Sequence, residues 1–234
     1  MSNSLSVVII TKNEENFIAD AIKSAQFADE IIVLDSSSTD KTCEIAKKLG
    51  AKVYQQQWLG FGAQKNKAID LASNEWIFVL DSDERITLDL RNEIIKILIN
   101  PLFDAYHVSR LNNFFGKNIK TCGLYPDYSI RLFKWTKGRF DNVPVHESVK
   151  VDGKVSKLKN HMIHLAYDNI EEFKEKQKKY AKLSIRQKSF IRGLIAPCWT
   201  FVRIYFLKLG FIDGRHGFLI AKIYAMYTFW KYFK

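Results

Sequence analysis

Three polar clusters carry side chains suited to chemistry, and each follows a run of apolar residues. Thr11-Lys12-Asn13-Glu14 follows Ser6–Ile10, Asp35-Ser36-Ser37-Ser38 follows Ile31–Leu34, and Asp81-Ser82-Asp83-Glu84 follows Trp76–Leu80. A single carboxylate after a strand usually caps a helix or makes a turn. Three such clusters point instead to a site, because ligands of open α/β sheets bind beyond the carboxyl ends of the strands. Asp81 and Asp83 form an Asp-x-Asp. Two carboxylates at i and i+2 converge on one hard cation when the backbone turns between them. Mg2+ and Mn2+ prefer such oxygen ligands and keep open positions for phosphate. A metal held this way bridges a diphosphate and stabilises charge on a leaving group. Gly60-Phe61-Gly62-Ala63-Gln64-Lys65-Asn66 opens a helix, and Lys65 and Asn66 can reach a phosphate or a base from a helix start. No G-x-G-x-x-G follows the first apolar run and no P-loop spacing occurs, which disfavours a dinucleotide fold and a P-loop nucleotidase.

The elements that must position these residues are legible as alternating strands and helices. Ser6–Ile10, Ile31–Leu34, Lys52–Tyr54 and Trp76–Leu80 are strand-like, and the continuous β-branched runs suit strands buried on both faces. Between them Phe17, Ile18, Ala21, Ile22 and Ala25 recur at helical spacing. A short helix carries Ile45, Ala46 and Leu49, with Ser38 or Thr39 as cap and Gly50 as stop. Residues 63–72 and 88–99 are predicted helices, the second ended by Asn100-Pro101. This alternation predicts an α/β fold with a mostly parallel sheet and helices on both faces. After residue 101 the alternation weakens. Strands are expected at 105–115 and 128–135, and an amphipathic helix at 170–192, with Phe173, Tyr180, Leu183 and Phe190 at heptad-like spacing.

Composition bounds the partners. The chain has 234 residues, 47% hydrophobic and 26% charged, a globular balance that excludes a disordered or collagen-like chain. Cys43, Cys122 and Cys198 are far apart and form no C-x-x-C, so neither a disulfide framework nor a cysteine zinc site is expected. The polar start shows no signal peptide, and these features together favour a reducing cytosol. The net charge of +11 is unevenly placed: residues 1–100 hold 11 Lys/Arg and 15 Asp/Glu, residues 101–234 hold 25 and 10. From 190 to 234 there are 13 of the chain's 32 aromatics. The longest uncharged apolar stretch there, Gly193–Val202, is cut by Arg203 and Lys208 and falls short of the ~20 residues that span a bilayer. A basic, aromatic surface of this kind fits an anionic membrane face. The bland alternative is a helical hairpin packed on the rest of the chain. Nucleic acid is disfavoured, since no recognition module is present and the acidic first half repels phosphate.

Taken in order, these motifs resemble the inverting glycosyltransferases of family 2, which have the GT-A fold. The resemblance runs through Val7–Glu14, Val33–Asp40, Gln64-Lys65-Asn66 and Leu80–Glu84, then Pro126-Asp127-Tyr128-Ser129-Ile130-Arg131-Leu132-Phe133 and Val145-His146-Glu147. Within the family the chain is most similar to small bacterial enzymes of lipopolysaccharide or lipooligosaccharide core assembly, often β-1,4-glucosyltransferases, which Gly210–Gly214 also resembles. The resemblance implies a catalytic domain over 1–169, with a nucleotide-sugar half (1–100) and an acceptor half (101–169), and a basic aromatic helical segment over 170–234.

It also implies roles. Thr11, Asn13 and Glu14, with Asp35, would hold the base and ribose, and Lys65 or Asn66 would sit near the base or diphosphate. Asp81 would contact ribose or metal, and Asp83 would be the main carboxylate on Mg2+ or Mn2+. His164 is the candidate for the family's downstream metal-binding His; His161, three residues earlier on a strand, would point to the opposite face. Glu147 fits the base that takes a proton from the acceptor hydroxyl. The family more often has Asp or a Glu-Asp pair there, where this chain has His146-Glu147, which leaves Asp141 and Asp127 as runners-up. Asp127, Arg131 and His146 fall on the acceptor side, and Arg131 is suited to a phosphate or an acid. The implied partners are a nucleotide sugar such as UDP-glucose, a glycolipid acceptor and the anionic inner face of the cytoplasmic membrane, where the protein would be peripheral. A sugar nucleotidyltransferase shares the sheet and carboxylates but would want a Gly-rich loop after the first strand, and Thr11–Glu15 has no Gly. A non-catalytic binder would need none of Asp81, Asp83 and Glu147 in these places.

Overall fold

The computed structural model describes residues 3–141, 147–183 and 190–233. Its first nine elements are β1 (Leu5–Thr11), α1 (Ile18–Ala25), β2 (Glu30–Asp35), α2 (Thr42–Lys48), β3 (Lys52–Gln55), α3 (Phe61–Asp70), β4 (Trp76–Asp81), β5 (Glu84–Ile86) and α4 (Leu88–Ile99). They match the expected alternation except for β5, which was too short to show a period. Then follow β6 (Ala105–Phe114), β7 (Lys117–Asn118), β8 (Asp127–Lys134), β9 (Gly138–Phe140), β10 (Val149–Val151) and β11 (Val155–Tyr167). The chain ends in α5 (Ile170–Leu183), α6 (Phe190–Val202), a π turn (Arg203–Leu207), a 3-10 turn (Gly210–Asp213) and α7 (Arg215–Trp230). It divides into two compact units, Met1–Arg110 with Tyr128–His164, and Leu111–Asp127 with Leu165–Lys234. No sequence signal marked 111–127 for the second unit.

In the first unit β2, β1 and β4 lie side by side and parallel, with β3 beyond β2. The sheet continues through β8, β6 and β11 to β5, but β8 runs antiparallel to β4 and β5 antiparallel to β11. The fold is therefore the expected α/β, Rossmann-like GT-A type, while its sheet is parallel only in the first half. Antiparallel strands need no helical crossover, which is why the β-α alternation fades after residue 101.

Period-two alternation sends each strand to two apolar layers. Val7, Ile9, Val33, Phe78 and Leu80 pack with Ile18 and Ile22 of α1 and Leu90 and Ile94 of α4. Val8, Ile32, Leu34, Ile77 and Val79 pack with Ala68 and Ile69 of α3. Helix α4 begins where expected because the Thr87 side chain accepts from the Leu90 N–H. The same hydroxyl donates to the His161 carbonyl at 2.7 Å, tying the helix start to β11.

In the second unit Phe114, Ile119, Phe173, Ile204, Ile220 and Ile223 form a separate core. Asp213 anchors the 3-10 turn by accepting from Thr121 at 2.6 Å and pairing with Lys117 at 3.1 Å. Among the described side chains of α5, Phe173, Gln177 and Ala181 are buried and Tyr180 is exposed. Within α5 the buried face follows an i, i+4, i+8 period; of the expected positions Phe173 is on it and Tyr180 is not, while residues 184–189 and the side chains of Leu183 and Phe190 lie outside the described residues. Among the described residues, no helix is long and apolar enough to cross a membrane.

At the strand starts, Glu30 ties four segments together. It accepts from Ser6 Oγ at 2.6 Å, from the Ser73 N–H and Oγ, and from Lys52 Nζ at 2.7 Å. Burial pushes its carboxyl up, but the bonds from Lys52, Ser6 and Ser73 outweigh it and hold the pKa at about 2 instead of 4.5. Because the folded value is depressed, this stabilisation is complete above pH 4.5 and is lost as pH falls through about 2. Glu30→Gln is expected to cost ~3 kcal/mol at neutral pH, at ~1.4 kcal/mol per pH unit of depression, and to flatten the acid limb between those values. Urea unfolding of both proteins from pH 2 to 7 checks it.

Candidate functional site

Strand register sets the first layer of the site. Thr11 pairs with Asp35, and Ile10 pairs with Asp81, so the three carboxyl ends lie abreast. Thr11 Oγ1 is buried with no protein hydrogen-bond partner. Asp35 is fully buried and accepts from the Ser38 N–H at 2.8 Å and from the Ser38 hydroxyl. The next loop locks onto this one. Asn13 takes a left-handed backbone, its N–H donates to Ser38 Oγ, and its Oδ1 accepts from the Thr39 N–H, both at 2.8 Å. The Glu14 N–H donates to Thr42 Oγ1. Burial, then the charges of Asp83 and Asp40, raise the Glu14 carboxyl above its ordinary value. The first two polar clusters therefore meet, as the sequence implied.

At the end of β4 the chain turns sharply into β5. The Asp81 N–H donates to Glu84 Oε2 at 3.0 Å, and the Arg85 guanidinium caps the Ser82, Glu84 and Phe17 carbonyls. Glu84 is completely buried. Arg131, on β8, donates to Glu84 Oε1 at 2.6 Å and to Asp81 Oδ2 at 3.0 Å. Lys65, on α3, lies 3.1 Å from Asp81 Oδ1 and 3.0 Å from Glu147 Oε1. Burial would raise Asp81, but Arg131 and Lys65 together hold it well below the usual carboxylate range. Glu84 goes the other way: burial, with Asp81 and Asp83 nearby, raises it against the pull of Arg131.

The antiparallel pairing of β5 with β11 sets Glu84 opposite His164. It brings His164 Nε2 to 3.4 Å from Asp83 Oδ2, which remains substantially solvent-accessible. Among the described residues, no three His, Cys, Asp or Glu side chains converge as a metal cage. Of the expected set Asp81, Asp83 and His164, the structure brings Asp83 and His164 into direct contact, while the Asp81 oxygens face Lys65 and Arg131. One carboxylate oxygen and one imidazole nitrogen suit a divalent cation such as Mn2+ that completes its shell with phosphate oxygens and water.

Three other expected residues have their side chains engaged within the protein. Asn66 clasps the Phe140 backbone, donating to its carbonyl and accepting from its N–H at 2.9 Å each, so it fastens α3 to β9 instead of reaching outward. Arg131, expected on the acceptor side, is buried against Asp81 and Glu84. Asp141, a runner-up for the base, accepts from the Ser148 N–H and hydroxyl at 3.0 and 2.9 Å, and these bonds lower its pKa. Glu147 follows that closure and is mostly buried against Lys65. Gly62 lets the Asp141 backbone pass close to α3, since a Cβ there would lie 2.2 Å from the Asp141 carbonyl oxygen. Asp127 opens β8 and belongs to the second unit. His146 lies outside the described residues. Sequence reasoning assigned no role to Glu84, although its place beside the Asp-x-Asp was the available signal. Nothing in the sequence marked Arg85, whose guanidinium pins the turn.

Comparison with known proteins follows the same lines. The profile of glycosyl transferase family 2 matches residues 6–152. An uncharacterized glycosyltransferase of Rickettsia typhi is 33% identical over 96% of this chain and 84% of its own length. The lipopolysaccharide core biosynthesis glycosyltransferase LpsC of Rhizobium meliloti is 28% identical, over 96% of this chain and 89% of its own. Among solved structures, S. aureus TarS (residues 1–349) superposes with a TM-score of 0.52 at 18% identity, covering 91% of this chain and 75% of that one, and shares the fold. With its strand-end carboxylates inside the matched segment and named glycosyltransferases aligned along nearly its whole length, the chain belongs to glycosyl transferase family 2.

Proposed function

We propose that this glycosyltransferase moves a hexose, glucose from UDP-glucose in the most specific form of the reading, to a membrane-bound glycolipid with inversion, in assembly of a lipopolysaccharide or lipooligosaccharide core. The observation that carries the donor side is the juxtaposition of Asp83 with His164 beside the ends of β1, β2 and β4. The similarity to LpsC along nearly the whole chain supports the core-assembly setting.

Each residue has a part in the proposed reaction. Thr11, Asn13, Glu14 and Asp35 form the wall for base and ribose; the orphaned Thr11 hydroxyl is a ready partner there. Asp83 and His164 would hold the divalent cation, which supplies charge neutralisation for the departing diphosphate. Lys65 places a buried cation between Asp81 and Glu147. Glu147 takes the proton of the acceptor hydroxyl as its oxygen bonds to the anomeric carbon. The bond from that carbon to the diphosphate breaks on the opposite face, which inverts the centre. Asp141 is the weaker candidate, because both of its oxygens accept from Ser148, whereas Glu147 is engaged by Lys65 through Oε1.

Thermal protection by UDP with Mn2+, abolished by chelator, tests the donor reading, and a donor-hydrolysis screen across nucleotide sugars identifies the hexose. Asp83→Asn is expected to weaken Mn2+-UDP binding by more than ~10-fold with the fold intact. Unchanged affinity in calorimetry removes Asp83 from the metal. Glu147→Gln is expected to lower transfer by ~10²–10⁴-fold while donor binding persists. Near-normal turnover there, with collapse in Asp127→Asn or Asp141→Asn, moves the base to that residue. Arg131→Met acts on stability instead: it takes the close cation from fully buried Glu84 and leaves Asp81 with Lys65 alone, and is expected to cost ~3–5 kcal/mol in urea unfolding. Adding Glu84→Gln should recover part of that loss.

A further inference from the structure

The second unit presents a stripe of large apolar side chains that its own core does not use. On α6, Ile195, Trp199 and Val202 are exposed at i, i+4 and i+7, and Phe206 continues the series at i+11 in the π turn. Leu207, Leu209, Phe211 and Ile212 are exposed around the 3-10 turn that follows, with Ile195, Leu207 and Ile212 each more than 60% accessible. The inward positions are taken separately by Ile204, Ile220 and Ile223. Leu209 adopts a left-handed backbone, φ 56°. Solvent-facing turns give that conformation to Gly or Asn, and a bulky residue held there marks strain kept for a purpose. Soluble surfaces seldom gather so many large apolar groups without a partner.

The charges around the stripe are of one sign. Between 190 and 233 the sequence has six basic residues, Arg192, Arg203, Lys208, Arg215, Lys222 and Lys231, and one acid, Asp213. Asp213 is buried and satisfied by Thr121 and Lys117. Arg192, Arg203, Lys208, Arg215 and Lys222 are exposed. An apolar stripe with a purely basic border complements a surface that is apolar within and anionic outside. No acid is exposed between 190 and 233; the exposed acids of this unit, Asp168, Glu171, Glu172 and Glu175, lie on and just before α5, outside the segment that carries the stripe.

We infer that the exposed face of α6 and the two turns after it form a monotopic docking surface for an anionic lipid bilayer, with Ile195, Trp199, Phe206, Leu207 and Ile212 entering the acyl boundary and Arg203 and Lys208 at the headgroups. The inference goes beyond glycosyl transfer, and lipid binding is measured without donor or acceptor, so either can fail alone.

The test uses the full chain with phosphatidylglycerol/phosphatidylethanolamine vesicles, against phosphatidylcholine vesicles. Wild type is expected to sediment with the anionic vesicles at least ten-fold more strongly, and less as salt rises. Trp199→Ser/Leu207→Ser and Arg203→Glu/Lys208→Glu are each expected to lower that partition about ten-fold or more. Their thermal unfolding should match wild type, because the replaced side chains are solvent-facing. Binding that ignores both double variants, or no binding by wild type, overturns the proposal. So does a wild-type dimer in sedimentation equilibrium that Trp199→Ser/Leu207→Ser converts to monomer, since the stripe would then belong to a second copy.

Discussion

Complete burial of Glu84 is the constraint around which the site is arranged. A carboxylate removed from water must be neutralised or matched by hydrogen bonds, or the fold loses more than it gains. Glu84 is matched by the Arg131 guanidinium and by the Asp81 N–H, and Arg131 is in turn shared with Asp81. These contacts bind the end of β4, the turn into β5 and the middle of β8 into one unit of charge. An ion cluster of this kind adds little net stability compared with apolar packing, but removing one member is costly. Its value is positional: the turn has one geometry in which every charge is answered.

Position is what the reaction chemistry needs. With Asp81 engaged by Lys65 and Arg131, Asp83 is the carboxylate left at the accessible edge of the turn, next to His164. Lys65 repeats the device on the other side, joining the β4 cluster to Glu147 through a buried ammonium. Two arrays thus extend from Asp81 and its turn: a metal-suited pair in one direction and a candidate base in the other. Asn66, one residue beyond Lys65, fixes the helix that carries it by clasping the Phe140 backbone. The residues expected to touch ligand and those that hold them in place alternate along the same short helix.

The second unit follows a different physical logic. Its core draws on aromatic and branched residues of α5, α7 and the π turn, while a set of large apolar side chains on α6 and the two turns after it stays exposed. Where the first unit buries charge to aim carboxylates, the second exposes apolar surface that ordinary folding would cover.

The sequence by itself determined the β-α alternation through residue 99, the two-layer core and the three strand-end clusters. Those features rest on local periodicity and on apolar runs long enough to have only one reading, as in Trp76–Leu80 and Leu88–Ile99. The family and the identity of Asp83, His164 and Glu147 as candidates were also legible, since they depend on ordered motifs. Tertiary structure decided which of those residues meet. That His164 faces Asp83 depends on β5, three residues long, pairing antiparallel with β11 across some eighty positions. That Asp81 pairs with Lys65 and Arg131 depends on a helix and a strand remote in the chain. Periodicity reports which face of an element is buried; it carries no information on which distant charge shares that burial, and that is why the pairing of Asp81, Glu84, Lys65 and Arg131 emerged only from the tertiary structure.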